Sequence, residues 1–136
     1  YKRQDDYSQA IELDPGYIDA HFSRGIANAA LDKHEQAISD YDRAIELDPD
    51  YALAYNNRGI AHSVLGNFEQ VIVDFDKAIS LNPGYALAYF NRGLTHYHLD
   101  AIEQAIQDFE SYLELAPDAP NRPQVEVFIT ELKSQR

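Results

Sequence analysis

The string Ala-Ile-Glu-Leu-Asp-Pro fills residues 10–15 and returns unchanged at residues 44–49. A close variant, Ala-Ile-Ser-Leu-Asn-Pro, fills residues 78–83, and the proline recurs once more at Pro117. Each copy starts 34 residues after the one before it. Self-similarity at one fixed spacing of this size is typical of helical repeat arrays.

Other residue types keep the same period, which allows the chain to be divided into repeats. We number each repeat from the residue after the tyrosine that follows the proline. This gives full repeats at 18–51, 52–85 and 86–119, a leading half repeat at 1–17 and a tail at 120–136. The periodic residues outside the quoted strings are Gly25, Gly59 and Gly93, then Leu31, Leu65 and Leu99, then Tyr17, Tyr51 and Tyr85.

Each repeat is predicted to form two helices. The first helix is expected to run to the periodic leucine and to stop at Asp32, Gly66 or Asp100, because Gly, and to a lesser degree Asp, tolerates the left-handed conformation of a helix end. The second helix is expected to end before the proline, since a residue before proline avoids helical geometry. Ile38, Tyr41 and Ile45 lie at helical spacing and form an apolar stripe.

The two ends of the chain differ from the repeats between them. Residues 121–134 are predicted to form a single capping helix, with Asn121 and Gln124 as a capping box and with an apolar stripe of Val125, Phe128, Ile129 and Leu132. The other end starts inside a second helix. We therefore expect the chain to be part of a longer array.

These positions resemble the signature of the tetratricopeptide repeat family, a 34-residue helix–turn–helix with conserved aromatic, Gly, Ala and Pro sites. The resemblance covers nearly the whole chain and implies an all-α, right-handed helix–turn–helix solenoid. The matching residues are Gly25, Ala37, Tyr41, Ala44 and Pro49, then Tyr55, Gly59, Phe75, Ala78 and Pro83, then Tyr89, Gly93, Ala105, Phe109 and Pro117.

Arginine departs from the family pattern, because it stands where leucine usually precedes the glycine. An unpaired buried charge is very costly, so each arginine needs an acidic partner. We predict a structural ladder of Arg–Asp pairs, formed either within a repeat or with the preceding repeat, and the extra Asp6 would let Arg24 pair in the backward direction. A ligand-binding role for the arginines is the alternative. The ladder consists of Arg24, Arg58 and Arg92 with Asp6, Asp40, Asp74 and Asp108.

Composition excludes several classes of function. A net charge of −12 disfavours binding to nucleic acid or to anionic membranes. The absence of cysteine removes thiolate metal sites and cysteine nucleophiles. His62, His96 and His98 suggest zinc, but no acid falls at the matching groove position, and packing in place of tyrosine is favoured. We predict no catalytic residues, no metal and no cofactor.

The family resemblance places the binding surface on the concave face of the first helices, at the second, fifth, sixth, ninth, twelfth and thirteenth residues of each repeat. We call these residues the groove face. They include one acid and no Lys or Arg. They are Asp19, Phe22, Ser23, Ile26, Ala29 and Ala30, then Leu53, Asn56, Asn57, Ile60, Ser63 and Val64, then Leu87, Phe90, Asn91, Leu94, Tyr97 and His98.

The groove face predicts a protein or peptide partner. Leu87 and Asn91 stand where the family's chaperone-tail clamps need Lys and Arg, so a clamp of that kind is rejected. Asn57 and Asn91 instead resemble the asparagine ladder of the protein O-linked sugar transferases, in which amides pair with a peptide backbone. The alternative is that these asparagines only solvate the groove.

Two further functions stay open. The half repeat carries Tyr7, Ile11 and Leu13 without a preceding first helix to cover them, which predicts end-to-end self-association. The array could also be the substrate-recruiting arm of a larger enzyme.

Overall fold

The computed structural model describes residues 2–136, which contain eight α-helices and no strand. The all-α helical-repeat fold is thereby confirmed. Tyr1, the first residue of the predicted half repeat, lies outside the described residues. The helices are α1 (Lys2–Leu13), α2 (Ile18–Ala30), α3 (His34–Leu47), α4 (Ala52–Val64), α5 (Phe68–Leu81), α6 (Ala86–His98), α7 (Ile102–Leu115) and α8 (Arg122–Ser134).

The chain divides into two compact units. Unit 1 ends at Leu81 and contains α1 to α5, and unit 2 runs from Asn82 to Arg136 and contains α6 to α8. Inside each unit, helices that follow one another along the chain pack together. Antiparallel neighbours joined by short turns are the arrangement that a helix–turn–helix repeat requires.

A glycine on each first helix allows the second helix of the same repeat to come close. A Cβ placed on Gly59 would lie 2.8 Å from Cε1 of Phe75, which is closer than real side chains pack. Gly25 has the same relation to Tyr41, at 2.6 Å. In unit 2, a Cβ on Gly93 would lie 2.9 Å from Cε1 of Phe109. The period of the glycines thus follows from the ring that covers each of them.

The first helices stop in the left-handed conformation that the sequence predicted. The φ angle is 60° at Asp32, 79° at Gly66 and 61° at Asp100. After each stop, a backbone N–H reaches the carbonyl oxygen five residues back. Asn67, for example, donates to the carbonyl of His62 at 2.9 Å. This is the longer bond of a Schellman motif, which satisfies a carbonyl at the helix end.

Helix α8 packs on α7 at the end of unit 2, but its N-terminus is capped differently from the prediction. Asn121 makes no side-chain capping bond, so the predicted capping box with Gln124 is wrong. The Oδ1 of Asn121 accepts a hydrogen bond from the hydroxyl of Tyr112 at 2.6 Å instead. Tyr112 stands where the earlier repeats have alanine, and its buried ring belongs to the core cluster formed by residues of α7 and α8. Val125, Ile129 and Leu132 complete the core beneath it.

Candidate functional site

Arg58 on α4 links both second helices of unit 1 that flank it. Its Nε donates to Oδ2 of Asp74 at 3.0 Å, and its Nη2 donates to Oδ1 at 2.7 Å. Its Nη1 donates to Oδ1 of Asp42 on α3 at 2.9 Å. The hydrogen bond with Asp74 is the main reason that the pKa of Arg58 is raised. Since Asp74 is completely buried, the guanidinium supplies the partner that its charge needs.

Arg24 makes the corresponding contacts one repeat earlier, with one difference. Its Nε and Nη2 donate to Asp40, the shortest contact being 2.6 Å. The prediction that Asp6 is its backward partner is wrong, because Asp6 is exposed and Nη1 instead lies 3.4 Å from the hydroxyl of Ser8. The backward partner of Arg58 is 16 residues earlier in the chain, and the same step from Arg24 leads to Ser8.

In unit 2, Arg92 binds the buried Asp108 through Nε at 2.9 Å and Nη2 at 2.7 Å. The Nε2 of His96 lies 3.7 Å from the same carboxylate. Asn28, at the equivalent position of the first repeat, donates to Asp40 at 2.9 Å. In the first and third repeats, the position that the family fills with tyrosine therefore contacts the buried aspartate.

The three histidines considered for zinc have other contacts. The Nδ1 of His62 lies 3.4 Å from the amide nitrogen of Asn67, and the ring of His98 packs on Tyr97 at 5.8 Å between centroids. Within residues 2–136, no group of three or more His, Cys, Asp or Glu side chains has the placement to hold a metal ion.

Each first helix is also tied to the proline turn before it, a contact that the sequence interpretation missed. The hydroxyl of Tyr55 donates to the carbonyl of Pro49 at 2.9 Å, and that of Tyr89 donates to Pro83 at 3.1 Å. His21 stands at the same position, and its Nε2 lies 2.8 Å from the carbonyl oxygen of Pro15. The signal was present in the sequence, since each polar ring follows its proline by six residues.

The groove face of unit 1 presents apolar side chains to solvent. Ile26, Ile60 and Val64 are between 41% and 59% exposed. Behind Ile26 and Ile60 a cavity of about 210 Å³ opens. An apolar cavity with few polar groups at its edge is the usual form of a site for a ligand side chain. The residues that line it are Ile26, Ala29, His34, Tyr41, Asn57, Ile60 and Ala61.

Asn57 is the amide at this cavity, and neighbouring side chains hold it in place. Its Oδ1 accepts a hydrogen bond from Asn56 at 3.3 Å. It also bonds the hydroxyl of Tyr41, whose pKa is raised to about 12, first by burial and then by the charge of Asp40, while the bond from Asn57 opposes the rise. An amide has two hydrogens and two lone pairs, so these two contacts use half of its capacity.

Two other groove-face residues of unit 1 are less accessible than the sequence predicted. Asn56 is only 2% exposed, so its assignment to the ligand surface is wrong. Asn56 is enclosed within the fold instead of facing solvent. Phe22, at the same position one repeat earlier, is half-buried and packs on Tyr51 with ring centroids 4.8 Å apart.

The groove face of unit 2 is more aromatic. Leu87 and Tyr97 are 55% and 38% exposed, and His98 is exposed as well. Phe90 and Leu94 are half-buried beside a cavity of about 250 Å³ between α6, α7 and α8. Asn91 is half-buried. The cavity is lined by Phe90, Leu94, Phe109, Asn121, Gln124, Val125 and Phe128.

None of the helices between residues 2 and 136 combines the length and the apolar character that crossing a bilayer requires.

Several solved structures are similar to the chain. The crystal structure of MamA superposes with a TM-score of 0.85 at 24% identity, covering 94% of this chain and 75% of that one. The first TPR of Spaghetti (RPAP3), bound to the HSP90 peptide SRMEEVD, gives 0.79 at 25% identity, covering 87% and 91%. The second TPR domain of human RPAP3, in complex with the HSP70 peptide SGPTIEEVD, gives 0.74 at 31% identity, covering 83% and 92%.

Family models match most of the chain between them. Models described as tetratricopeptide repeat match residues 76–130 and 52–85, and one described as TPR repeat matches residues 29–66. No curated protein sequence matches the chain. With helix pairs closed over a periodic glycine and turns marked by a periodic proline, the chain belongs to the tetratricopeptide repeat family.

Proposed function

We propose that this chain is a protein-interaction module whose groove face binds a peptide segment of a partner protein. The observation that carries the proposal is the apolar cavity of unit 1, where exposed Ile26 and Ile60 flank an opening with Asn57 at its edge. Exposed apolar surface beside a preformed cavity is typical of an interaction site. Stacked helical repeats offer such surfaces without needing catalytic groups.

The charge of the groove face indicates which peptides fit. The two RPAP3 domains bind peptides that both end in EEVD. On this chain, Leu87 and Asn91 stand at positions where a clamp for such tails has basic residues, and the groove face has no Lys or Arg at all. Because the net charge is −12, an acidic tail is repelled rather than held. The favoured ligand is a segment with apolar side chains and no acidic terminus.

Asn57 supplies the means to hold such a segment by its backbone. The side-chain amide offers a donor and an acceptor, and a peptide group offers their complements. Asn91 follows one repeat later in the sequence, which supports the same role in the next repeat. Backbone pairing combined with apolar contacts suits an extended peptide, because successive side chains of such a peptide alternate between groove and solvent.

The test is a peptide library screened for binding, followed by calorimetry on the best ligand. The double variant Asn57→Ala with Asn91→Ala is expected to bind at least tenfold more weakly while its circular dichroism is unchanged. The matched control is Gln70→Ala with Gln104→Ala, which removes two exposed amides from second helices. Equal affinity of the folded double variant and the wild type would contradict backbone pairing. Loss of binding in Phe90→Ala combined with unchanged binding in the asparagine double variant would favour a helical ligand held by its apolar face.

We propose a second function, end-to-end self-association through the half repeat. Leu13 at the end of α1 is 88% exposed and Tyr17 beyond it is 47% exposed, whereas Tyr7 and Ile11, which the sequence also assigned to this surface, are half-buried. The proposed assembly surface therefore centres on Leu13. Leu13→Glu is expected to lower the weight-average mass at high protein concentration in light scattering. A wild-type chain that stays monomeric under those conditions excludes this function and leaves peptide binding untouched.

A further inference from the structure

Helix α8 continues the register of the first helices. Val125 follows Asn57 by 68 residues, which is two repeats, and Phe128 follows Ile60 by the same distance. Both pairs line a cavity, Asn57 and Ile60 in unit 1 and Val125 and Phe128 in unit 2. The predicted capping helix therefore supplies one wall of a second cavity, in the way that α4 supplies one wall of the first.

The other walls correspond as well. Leu94 follows Ile26 by two repeats, and Phe109 follows Tyr41 by two repeats. We call the cavity of unit 2 the cap pocket. Two polar groups of its counterpart are absent from it, because Phe109 lacks the tyrosine hydroxyl and the isopropyl group of Val125 replaces the amide of Asn57. Phe128 and Leu94 also replace Ile60 and Ile26.

Aromatic rings surround the cap pocket. Phe109 lies 5.8 Å from Phe90 and 5.5 Å from Phe128, measured between ring centroids. Phe128 in turn meets Tyr97 edge to face at 5.0 Å. Distances of 4.5 to about 7 Å are those at which aromatic rings attract one another. Because Phe90, Leu94 and Phe128 are only half-buried, the pocket is accessible from solvent.

The polar groups of the cap pocket are two amides. Asn121 is already engaged by the hydroxyl of Tyr112. Gln124 is exposed and lines the pocket at its edge. Its amide is therefore placed to bond the backbone of a ligand whose side chain enters between the rings.

We propose that the cap pocket binds a phenylalanine side chain of the partner peptide, a step that rests on the proposed function of the groove face. The volume of about 250 Å³ suffices, since an apolar cavity of roughly 150 Å³ holds a benzene molecule. A charged or hydroxyl-bearing side chain that entered between the rings would lose its water among Phe, Leu and Val, because Asn121 is already bonded to Tyr112 and Gln124 lies at the edge of the pocket. An aliphatic side chain would fit but would forgo the ring contacts.

The experiment uses the full chain and three probes, the N-acetyl amides of phenylalanine, leucine and tyrosine. Methyl NMR of Leu94 and Val125 reports on the pocket directly. The phenylalanine probe is expected to cause saturable shifts and to bind at least threefold more tightly than the other two. Absence of saturable shifts, or a leucine or tyrosine probe that binds as well, overturns the proposal. Shifts of the same methyls that follow protein concentration without any probe point to a second copy as occupant and also overturn it.

Two tryptophan variants on α8 provide the matched comparison. Gln124→Trp places an indole at the edge of the pocket and is expected to weaken the phenylalanine probe at least tenfold. Val127→Trp is the control, because Val127 is 59% exposed and does not line the pocket. Equal probe affinity in both variants contradicts the proposal.

The failure of this inference is distinguishable from the failure of the proposed function. If the library yields a peptide whose affinity depends on Asn57 but not on Gln124→Trp, the groove face stands and the cap pocket fails. If no peptide binds while the phenylalanine probe saturates the pocket, the proposed function fails and the pocket's preference for a phenyl ring stands.

Discussion

The carboxylate of Asp74 lies 2.7 Å from Nη2 and 3.0 Å from Nε of Arg58, and it has no exposed surface. Removing the arginine leaves a buried charge without a partner, which typically costs about 3–5 kcal/mol. We expect Arg58→Leu to lower the free energy of unfolding by an amount of that order, measured by urea titration.

The control for this prediction is Arg43→Leu, which breaks an exposed pair with Glu46. Exposed pairs contribute at most about 1 kcal/mol. The double variant Arg58→Leu with Asp74→Leu is expected to recover part of the loss, because no buried charge remains. If Arg58→Leu is as stable as the wild type but no longer binds the selected peptide, the arginine serves the ligand and not the fold.

Gly59→Ala is expected to destabilise unit 1, because the new methyl group would lie 2.8 Å from Cε1 of Phe75. Overpacking of this kind costs about 1–3 kcal/mol. Thermal unfolding followed by circular dichroism measures the change. Gly84→Ala is the matched control, since its nearest neighbour is the Oδ1 of Asn82 at an ordinary 3.6 Å. Equal melting temperatures for the two variants would show that Phe75 moves aside at little cost.

Asp100→Gly is expected to stabilise unit 2. Asp100 has a φ of 61°, a conformation that costs an ordinary residue roughly 1–2 kcal/mol. Glycine removes that cost but adds freedom to the unfolded chain, so the expected net gain is about 0.5–1 kcal/mol. The reverse exchange at the equivalent position, Gly66→Asp, should lose a similar amount. A loss in both variants would indicate that the Asp100 side chain stabilises the turn.

The stability of unit 1 is expected to fall as the pH rises from about 10 to about 12. The pKa of Tyr41 is raised from 10.0 to about 12 in the folded chain, so the unfolded chain loses this proton first. The contribution of Tyr41 to the free energy of unfolding is fully present below the pKa of the unfolded chain. It is lost as the pH rises through the pKa of the folded chain, and the free energy of unfolding falls by at most about 1.4 kcal/mol per pH unit. Urea midpoints measured across this range report the slope.

Tyr41→Phe is the reference for this titration. Phenylalanine carries no titrating group, so the variant should lack the part of the slope that belongs to Tyr41, whatever its baseline stability. Identical slopes for the two proteins would mean that the buried hydroxyl keeps its ordinary pKa. The side chain of Asn57 opposes the rise, so Asn57→Ala is expected to move the pKa of Tyr41 further upward in an absorbance titration.

The ends of the helices could be predicted from the sequence because they depend on the residues immediately around them. Proline ends the second helices at Leu47 and Leu81, and a left-handed residue stops the first helices at Asp32, Gly66 and Asp100. These rules act within a few residues. Periodicity then supplied the pairing of helices, because a repeated apolar face must meet a repeated neighbour.

The failed predictions concern side chains whose partners lie on other helices. The sequence predicts Asn121 as a helix cap, but its Oδ1 accepts a hydrogen bond from the hydroxyl of Tyr112, nine residues earlier. Asn56 occupies a groove position of the family yet is enclosed by packing. Asp6 lies one repeat before Asp40, so the period of the aspartates predicts it as a partner of Arg24. The α1 residue that contacts Arg24 is Ser8, which lies 16 residues before the arginine. In each case three-dimensional packing selects among residues that the sequence pattern treats as equivalent.

Arg24 contacts the hydroxyl of Ser8 where Arg58 contacts the carboxylate of Asp42, and this difference affects which part of unit 1 unfolds first. Arg58 joins α4 to acidic side chains on both flanking helices. Among the described side chains of α1, the one that Arg24 contacts is the neutral hydroxyl of Ser8, 3.4 Å away. In a linear array, stability is set by the contact of each repeat with its neighbours. The amide protons of α1 should therefore exchange with deuterium before those of α3 and α5, and opening should proceed inward from α1. Ser8→Asp gives Arg24 a second carboxylate and should slow that exchange.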